Sequence, residues 1–143
     1  MSTQSCRVSQ YMIHYADEFG ELIHALSRQK MRTLRAGEVH TLRVTIRRLR
    51  ACLWALRTDA RYSAQSKKLR SDLRMLGATL GRIRELDVAI QDTITYGIKM
   101  PNLCSERNKA LKQAIRILHR ASVCKLSKRI TAFARSVEGP LRL

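Results

Sequence analysis

The sequence predicts an all-α protein, an antiparallel four-helix bundle with long helices. The chain of 143 residues contains only two prolines and six glycines, so few positions interrupt regular structure. Apolar residues recur at three- and four-residue steps almost from end to end, which is the period of amphipathic helices. Short helix-breaking stretches separate the patterns and indicate short loops. A chain of this length is predicted to form one domain, residues 1–143, with one core.

The first two predicted helices carry regular apolar seams. Residues 8–30 form the first helix, and the 32–37 stretch ends it. Its seam repeats in heptad-like steps at Val8, Met12, Tyr15, Phe19, Leu22 and Leu26. The second helix covers residues 38–57, and its inward positions are Leu42, Ile46, Leu49, Leu53 and Leu56. Thr58 and Asp59 then provide turn chemistry and a cap for the next helix.

The other two predicted helices are longer. The third covers residues 60–95, with inward positions at Leu69, Leu73, Leu76, Leu80, Ile83, Ile90 and Ile94. The fourth covers residues 103–137, and its apolar face comprises Leu111, Ile115, Leu118, Leu126, Ile130 and Phe133. Gly97, Pro101 and Asn102 separate the two helices, because proline disfavours helix in the residue before it.

A second stripe on helix two consists of cations. It lies about a quarter turn from the apolar seam and comprises His40, Arg43, Arg47, Arg50 and Arg57. Helix three repeats the design with Lys67, Arg70, Arg74 and Arg84, and Gly77 and Gly81 fall between the last two. Like charges at these spacings repel by about 0.2–0.5 kcal/mol per pair, and an external polyanion would relieve that repulsion. The glycines have two interpretations, close helix packing or clearance for a phosphate chain against the backbone.

The composition extends this pattern to the whole chain. Lys and Arg total 28 against 11 acids, for a net charge of +17 and a pI near 10.9. Such a chain attracts polyanions, so the candidate partners are nucleic acid, an anionic membrane surface and a phosphate polymer. Helix four adds a looser basic side with Lys109, Lys112, Arg116 and His119 or Arg120. If helices two and three pack side by side, their arginines converge on one groove, where planar guanidinium groups suit bidentate phosphate contacts.

Other chemistries find little support in the sequence. The cysteines are widely spaced, and no apolar run is long enough for a signal peptide or a membrane span, so a cytoplasmic protein without membrane insertion is expected. Glu21-x-x-His24 has the spacing of half a di-iron site but stands alone, so neither a metal nor another cofactor is expected. Catalysis is not expected either, because the basic rows offer too few carboxylates to hold Mg²⁺ for phosphoryl transfer.

Two motifs resemble those of a known family. They read His40-x-x-Arg43-Val44-x-x-Arg47-Arg48-Leu49-Arg50 and Leu76-Gly77-x-x-Leu80-Gly81-x-x-Arg84-Glu85-x-Asp87-Val88. In these residues the sequence is similar to the CHAD domain, a histidine-containing α-helical domain that binds inorganic polyphosphate. The resemblance implies that polyphosphate binds in an electropositive groove on helices two and three, often at polyphosphate granules, and it includes Arg48 in the candidate site. Asp87 is expected to pair with a cation such as Arg43 or Arg84 and to hold it in place.

The resemblance is incomplete in two respects. The family usually has Asp where Glu85 stands, and a typical member contains two similar helical bundles, whereas this chain holds one. The chain therefore resembles one half of a CHAD domain, and it is either completed by self-association or truncated with a weaker site. A twofold homodimer is the expected solution. Its predicted interface comprises Tyr62, Val88, Tyr96, Ile117 and Val123.

Two alternative functions stay open, nucleic-acid binding and a basic helical adaptor for a protein partner. Single-strand binders interleave aromatic with basic residues so that bases can stack. Only Trp54 lies on the basic row of helix two, while Tyr11, Tyr15, Phe19 and Phe133 are expected on or beside core seams. No helix-turn-helix glycine turn is evident either. Polyphosphate is therefore the preferred partner.

Overall fold

The computed structural model describes residues 3–28 and 34–137. Within these ranges the chain forms helices and no strand, so the all-α prediction is confirmed. The described part contains five helices, α1 (Thr3–Arg28), α2 (Ala36–Ala55), α3 (Ser63–Tyr96), α4 (Leu103–Leu118) and α5 (Ala121–Ser136). The last two residues of the predicted first helix lie outside the described residues.

The prediction of a single fourth helix is wrong, because the backbone leaves the helical conformation at Arg120. This residue has φ −67° and ψ 139°, and its amide donates to the Ile117 carbonyl in a tight turn. The two segments pack on different neighbours, α4 mainly against α3 and α5 mainly against α1. The turn at Arg120 allows each segment to bury its apolar face against its own neighbour.

The helices pack in a defined order around one core. Helix α2 lies between α1 and α3, α4 packs mainly against α3, and α5 packs mainly against α1. The predicted inward row of α2 is confirmed, because each of its five leucine and isoleucine side chains is buried. On α3 the predicted inward residues from Leu69 to Ile83 are buried. Ile94 is 70% exposed, so the prediction that it points inward is wrong. In α1, Ala16 and Ile23 are buried, whereas Tyr15 and Leu22 are half-buried.

A buried polar turn joins α2 to α3 and sets their relative position. The Ser66 hydroxyl is fully buried and donates to the Leu53 carbonyl at 2.5 Å, which links the start of α3 to the end of α2. In the turn, the buried Asp59 carboxylate accepts hydrogen bonds from the Arg61 amide and guanidinium. These bonds satisfy polar groups that burial would otherwise leave costly. The side chains of α2 and α3 therefore meet in a fixed register.

A second polar contact ties α3 to α4. The Asp87 carboxylate accepts a hydrogen bond from Nε of Arg107, and the Arg107 Nη2 group also lies 3.4 Å from the Leu34 carbonyl oxygen. The Asp87 and Arg107 side chains are only 12% and 19% exposed. Asp87 was correctly predicted to pair with a cation, but naming Arg43 or Arg84 as that cation was wrong. The pair connects helices instead of orienting a groove arginine.

Candidate anion-binding groove

Seven basic side chains line a groove on the outer side of the contact between α2 and α3, which we call the basic groove. Residues from α2 line one wall and residues from α3 line the other. Its basic residues are His40, Arg43, Arg47 and Arg50 from α2, and Lys67, Arg70 and Arg74 from α3. All seven were predicted as binding residues, and the packing of α2 on α3 brings them together.

The basic groove consists of two adjoining cavities that share Arg47, Arg50 and Arg74. The cavity near His40 has a volume of about 470 Å³, and the one near Trp54 has a volume of about 600 Å³. We call them the His40 cavity and the Trp54 cavity. Fourteen positions separate these two residues on α2, so the groove extends for about 21 Å at the helical rise of 1.5 Å per residue. It is long enough for an extended ligand.

The charges in the basic groove are not balanced by the protein. Among the described residues, none of the seven basic side chains forms an ion pair with a carboxylate. Among the described residues, Glu85 is the only acid that lines the groove, and its Oε2 atom lies 3.8 Å from Nη1 of Arg82, which is outside the groove. The other described ion pairs also use arginines from outside the groove: Asp59 with Arg61, Asp72 with Arg129, Asp87 with Arg107, Glu106 with Arg82, and Asp17 with Arg135. Apart from Glu85, the described acids that form ion pairs therefore lie outside the lining of the groove.

Arg70 is the most enclosed cation of the Trp54 cavity. It is half-buried, and its Nε atom is buried without a hydrogen-bond partner among the described residues. A charged group with an unsatisfied donor costs stability unless a counter-charge lies nearby. An anion in the Trp54 cavity would supply that counter-charge.

Gly77 and Gly81 form part of the floor of the basic groove. A Cβ atom at Gly77 would lie 3.5 Å from Cγ2 of Ile46, which is an ordinary contact, and a Cβ atom at Gly81 would meet nothing within 4 Å. Close helix packing therefore does not require glycine at either position. Because glycine in a helix costs about 1 kcal/mol relative to alanine, the observation favours the clearance interpretation.

The remaining predicted binding residues lie outside the basic groove. Arg48 packs over the Tyr15 ring of α1, and Arg57 stacks on Trp54. Half-buried Arg84 does not line either cavity. Helix α4 packs against α3, and the predicted residues on α4 and in the turn that follows it do not line the groove, namely Lys112, Arg116, His119 and Arg120. Helix periodicity placed these cations on exposed faces but did not show which neighbour each face meets.

Some lining residues were missed by sequence reasoning. Ala51 and Ser71 line the Trp54 cavity, and Ala78 lines the His40 cavity beside Gly77. Each is a small residue one helical turn or less from a groove arginine. Small residues interleaved with a cationic row are the signal that could have identified the groove floor.

The described residues contain no group of three or more His, Cys, Asp or Glu side chains placed to hold a metal ion. Glu21 and His24 are both exposed on α1. No described helix is long and apolar enough to cross a membrane. Cys52, Cys104 and Cys124 are free thiols, and burial raises the pKa of Cys52, which keeps that thiol protonated.

These features define a helical domain with a groove lined by basic side chains. The family model of the CHAD domain matches residues 18–142, nearly the whole chain, so the protein belongs to the CHAD domain family, which is known for binding polyphosphate. The match extends through α4 and α5, beyond the two motifs that suggested it. No curated protein and no solved structure shows a significant match to the chain.

Proposed function

We propose that this protein binds inorganic polyphosphate along the basic groove. The observation that carries the proposal is the set of seven basic side chains that line one groove without an ion pair to the protein's own described carboxylates. Folding holds these like charges close together, so they repel one another, and a bound polyanion relieves that repulsion. Membership in the CHAD domain family favours polyphosphate as that polyanion.

The shape of the groove supports a linear phosphate polymer. The arginines succeed one another at three- and four-residue steps on α2, and Arg70 and Arg74 do the same on α3. Each planar guanidinium can donate two hydrogen bonds to one phosphate group. Polyphosphate offers a similar charge at every unit and no bases, so it fits a row that repeats one kind of contact.

The direct test is titration with long-chain polyphosphate over a range of salt concentrations. If about seven cations contact phosphate, the release of counterions should lower affinity by about a thousandfold between about 50 and 200 mM salt. Affinity that does not change with salt, or no binding at low salt, would contradict the proposal.

We also propose that the protein holds polyphosphate without transforming it. Phosphoryl transfer usually requires carboxylates that coordinate Mg²⁺, and of the described carboxylate residues only Glu85 lines the groove. A binder of this kind fits a cytoplasmic location at polyphosphate granules. The free thiols of the described cysteines agree with a reducing compartment.

Nucleic acid is the second candidate partner, and one observation favours it. Trp54 lines the basic groove and is 54% exposed, so a base could stack on it. Tyr11 is equally exposed, contrary to its predicted place beside the core, but it lies on α1 outside the groove. A strand would stack successive bases on several aromatic residues, and among the described residues that line the groove Trp54 is the only aromatic residue besides His40.

We also propose that the protein forms a homodimer, through an interface that differs from the one predicted from the sequence. Val123 is buried, and Ile117 and Tyr62 are half-buried against the core, so these three predicted positions are wrong. Val88 and Tyr96 are 41% and 72% exposed. They lie in a segment at the end of α3 that is rich in exposed apolar residues, which we call the α3 tip and which also contains Ile94, Ile98 and Met100.

The α3 tip carries little charge for a strongly basic chain, since Asp92 and Lys99 are the only charged residues in the 88–105 segment. Two cationic copies repel each other least where they meet through such a surface. Replacing Ile94 with Asp is expected to shift sedimentation from dimer to monomer, whereas Met75→Asp, at an equally exposed position elsewhere on α3, should not. A wild-type monomer at high salt with polyphosphate present would contradict the homodimer.

A further prediction concerns Gly81. Replacing it with alanine should raise the free energy of unfolding by up to about 1 kcal/mol, because the new methyl group meets nothing and helix propensity improves. The same methyl group should weaken polyphosphate binding if the polymer lies against the backbone here. Thermal unfolding and titration would check both effects, and unchanged affinity would show that clearance at Gly81 is not used.

A further inference from the structure

Trp54 has a position that binding of inorganic polyphosphate does not explain. Its side chain is 54% exposed, although a large aromatic residue is normally buried, and it lines the Trp54 cavity together with five cations. A phosphate chain consists of charged oxygens and gains little from an indole face. The ligand of this cavity should therefore include a group that stacks on an aromatic ring.

The indole ring is held in place by a residue of the turn that follows α2. The Arg57 guanidinium lies over the ring, with its Cζ atom 3.3 Å from the ring centroid, and it donates a hydrogen bond of 3.1 Å to the Trp54 carbonyl oxygen. The cation covers one face of the ring and fixes its orientation, so that a planar group can stack on the other face. A ring held in this way loses less entropy on binding than a mobile one.

The neighbouring charges fit a short phosphate chain attached to such a planar group. Arg47, Arg50 and Trp54 lie on one face of α2, with two helical turns, or about 10 Å, between the first and the last. Arg70 faces them from α3, and no acid lines this cavity. Its volume of about 600 Å³ lies within the range of small-molecule sites.

We propose that the Trp54 cavity binds nucleoside oligophosphates, with the base stacked on Trp54 and the phosphates on Arg47, Arg50 and Arg70. This inference rests on the proposed function, because it assigns the phosphates to the same cations. It adds a ligand class that shares the phosphate chain with inorganic polyphosphate and differs from it by the base. Nucleoside oligophosphates then compete with the polymer for this end of the basic groove.

The test compares ATP with inorganic tripolyphosphate, which carries a similar chain without a base, in the absence of divalent metal. Trp54 is the only tryptophan, so its fluorescence reports on stacking directly. ATP is expected to quench this fluorescence more strongly than tripolyphosphate does. By calorimetry, Trp54→Leu should weaken ATP binding by about fivefold or more, the loss expected when one base-stacking contact is removed, and should change tripolyphosphate binding by less than about twofold. The matched control is Tyr11→Leu, which removes an equally exposed aromatic outside the groove and should change neither affinity.

The possible results separate this inference from the proposed function. If Trp54→Leu weakens ATP and tripolyphosphate alike, or neither, base stacking is refuted while the groove can still bind polyphosphate. If a single-stranded oligonucleotide depends on Trp54 and ATP does not, the residue serves a nucleic-acid strand and the inference is overturned. If neither ATP, tripolyphosphate nor long-chain polyphosphate binds to the wild-type protein, the proposed function fails as well.

Discussion

Reversing Arg47 and Arg74 to glutamate is expected to weaken polyphosphate binding by about a hundredfold or more. The two residues extend from opposite walls of the basic groove, and both line its two cavities. A hydrogen bond to a charged group contributes about 1.5–3 kcal/mol, so losing two of them accounts for roughly this factor, and the new repulsion adds to it. Neither arginine forms an ion pair among the described residues, so the fold should tolerate the change.

The matched control reverses Lys125 and Lys128 to glutamate. Both are exposed on α5, outside the basic groove, and the change in net charge is the same. Titration with long-chain polyphosphate should show a loss several times smaller than for the arginine pair, with circular dichroism verifying the helix content of both variants. Equal losses would mean that the charge acts in bulk and that no groove selects the polymer.

The largest effect on stability is expected for Asp87→Ala. This substitution leaves the Arg107 guanidinium largely buried without its carboxylate partner, because that side chain is only 19% exposed. Breaking a buried ion pair from one side typically costs about 3–5 kcal/mol, and the slight exposure of the pair favours the lower value. Denaturation with urea would measure the loss.

Two variants sharpen this test. Asp72→Ala breaks a pair with Arg129 whose side chains are 35% and 39% exposed, so it should cost less than about 1 kcal/mol. Replacing Asp87 with Leu and Arg107 with Met together removes both charges and should recover most of the lost stability. If Asp87→Ala costs no more than Asp72→Ala, the pair does not hold α4 on α3.

Helix periodicity was sufficient to predict the parts of the fold and site that depend on one helix. The buried row of α2 and the cationic row beside it follow from residue spacing, so the residues His40, Arg43, Arg47 and Arg50 were correctly placed on one side. Residue spacing likewise placed Lys67, Arg70 and Arg74 on one side of α3. Once α2 packs on α3, the two predicted rows of basic residues meet and form the groove.

Features that depend on contacts between helices could not be predicted from the residue spacing within one helix. Periodicity put Arg48 on an exposed face but could not show that α1 brings Tyr15 beside it. Asp87 needed a cation, but only the packing of α4 shows that this cation is Arg107. The break at Arg120 contains neither proline nor glycine, and the eight-residue step from Leu118 to Leu126 fits a continuous helix, so periodicity gave no sign of the break. These features are set by tertiary packing.

The most direct test of the central claim is a competition experiment at physiological ionic strength. Long-chain polyphosphate, duplex DNA and single-stranded RNA of equal phosphate content would compete for the wild-type protein. The proposed groove predicts that polyphosphate displaces both nucleic acids and that the reversal of Arg47 and Arg74 abolishes this preference. Equal or tighter binding of DNA or RNA, unaffected by the reversal, would contradict it.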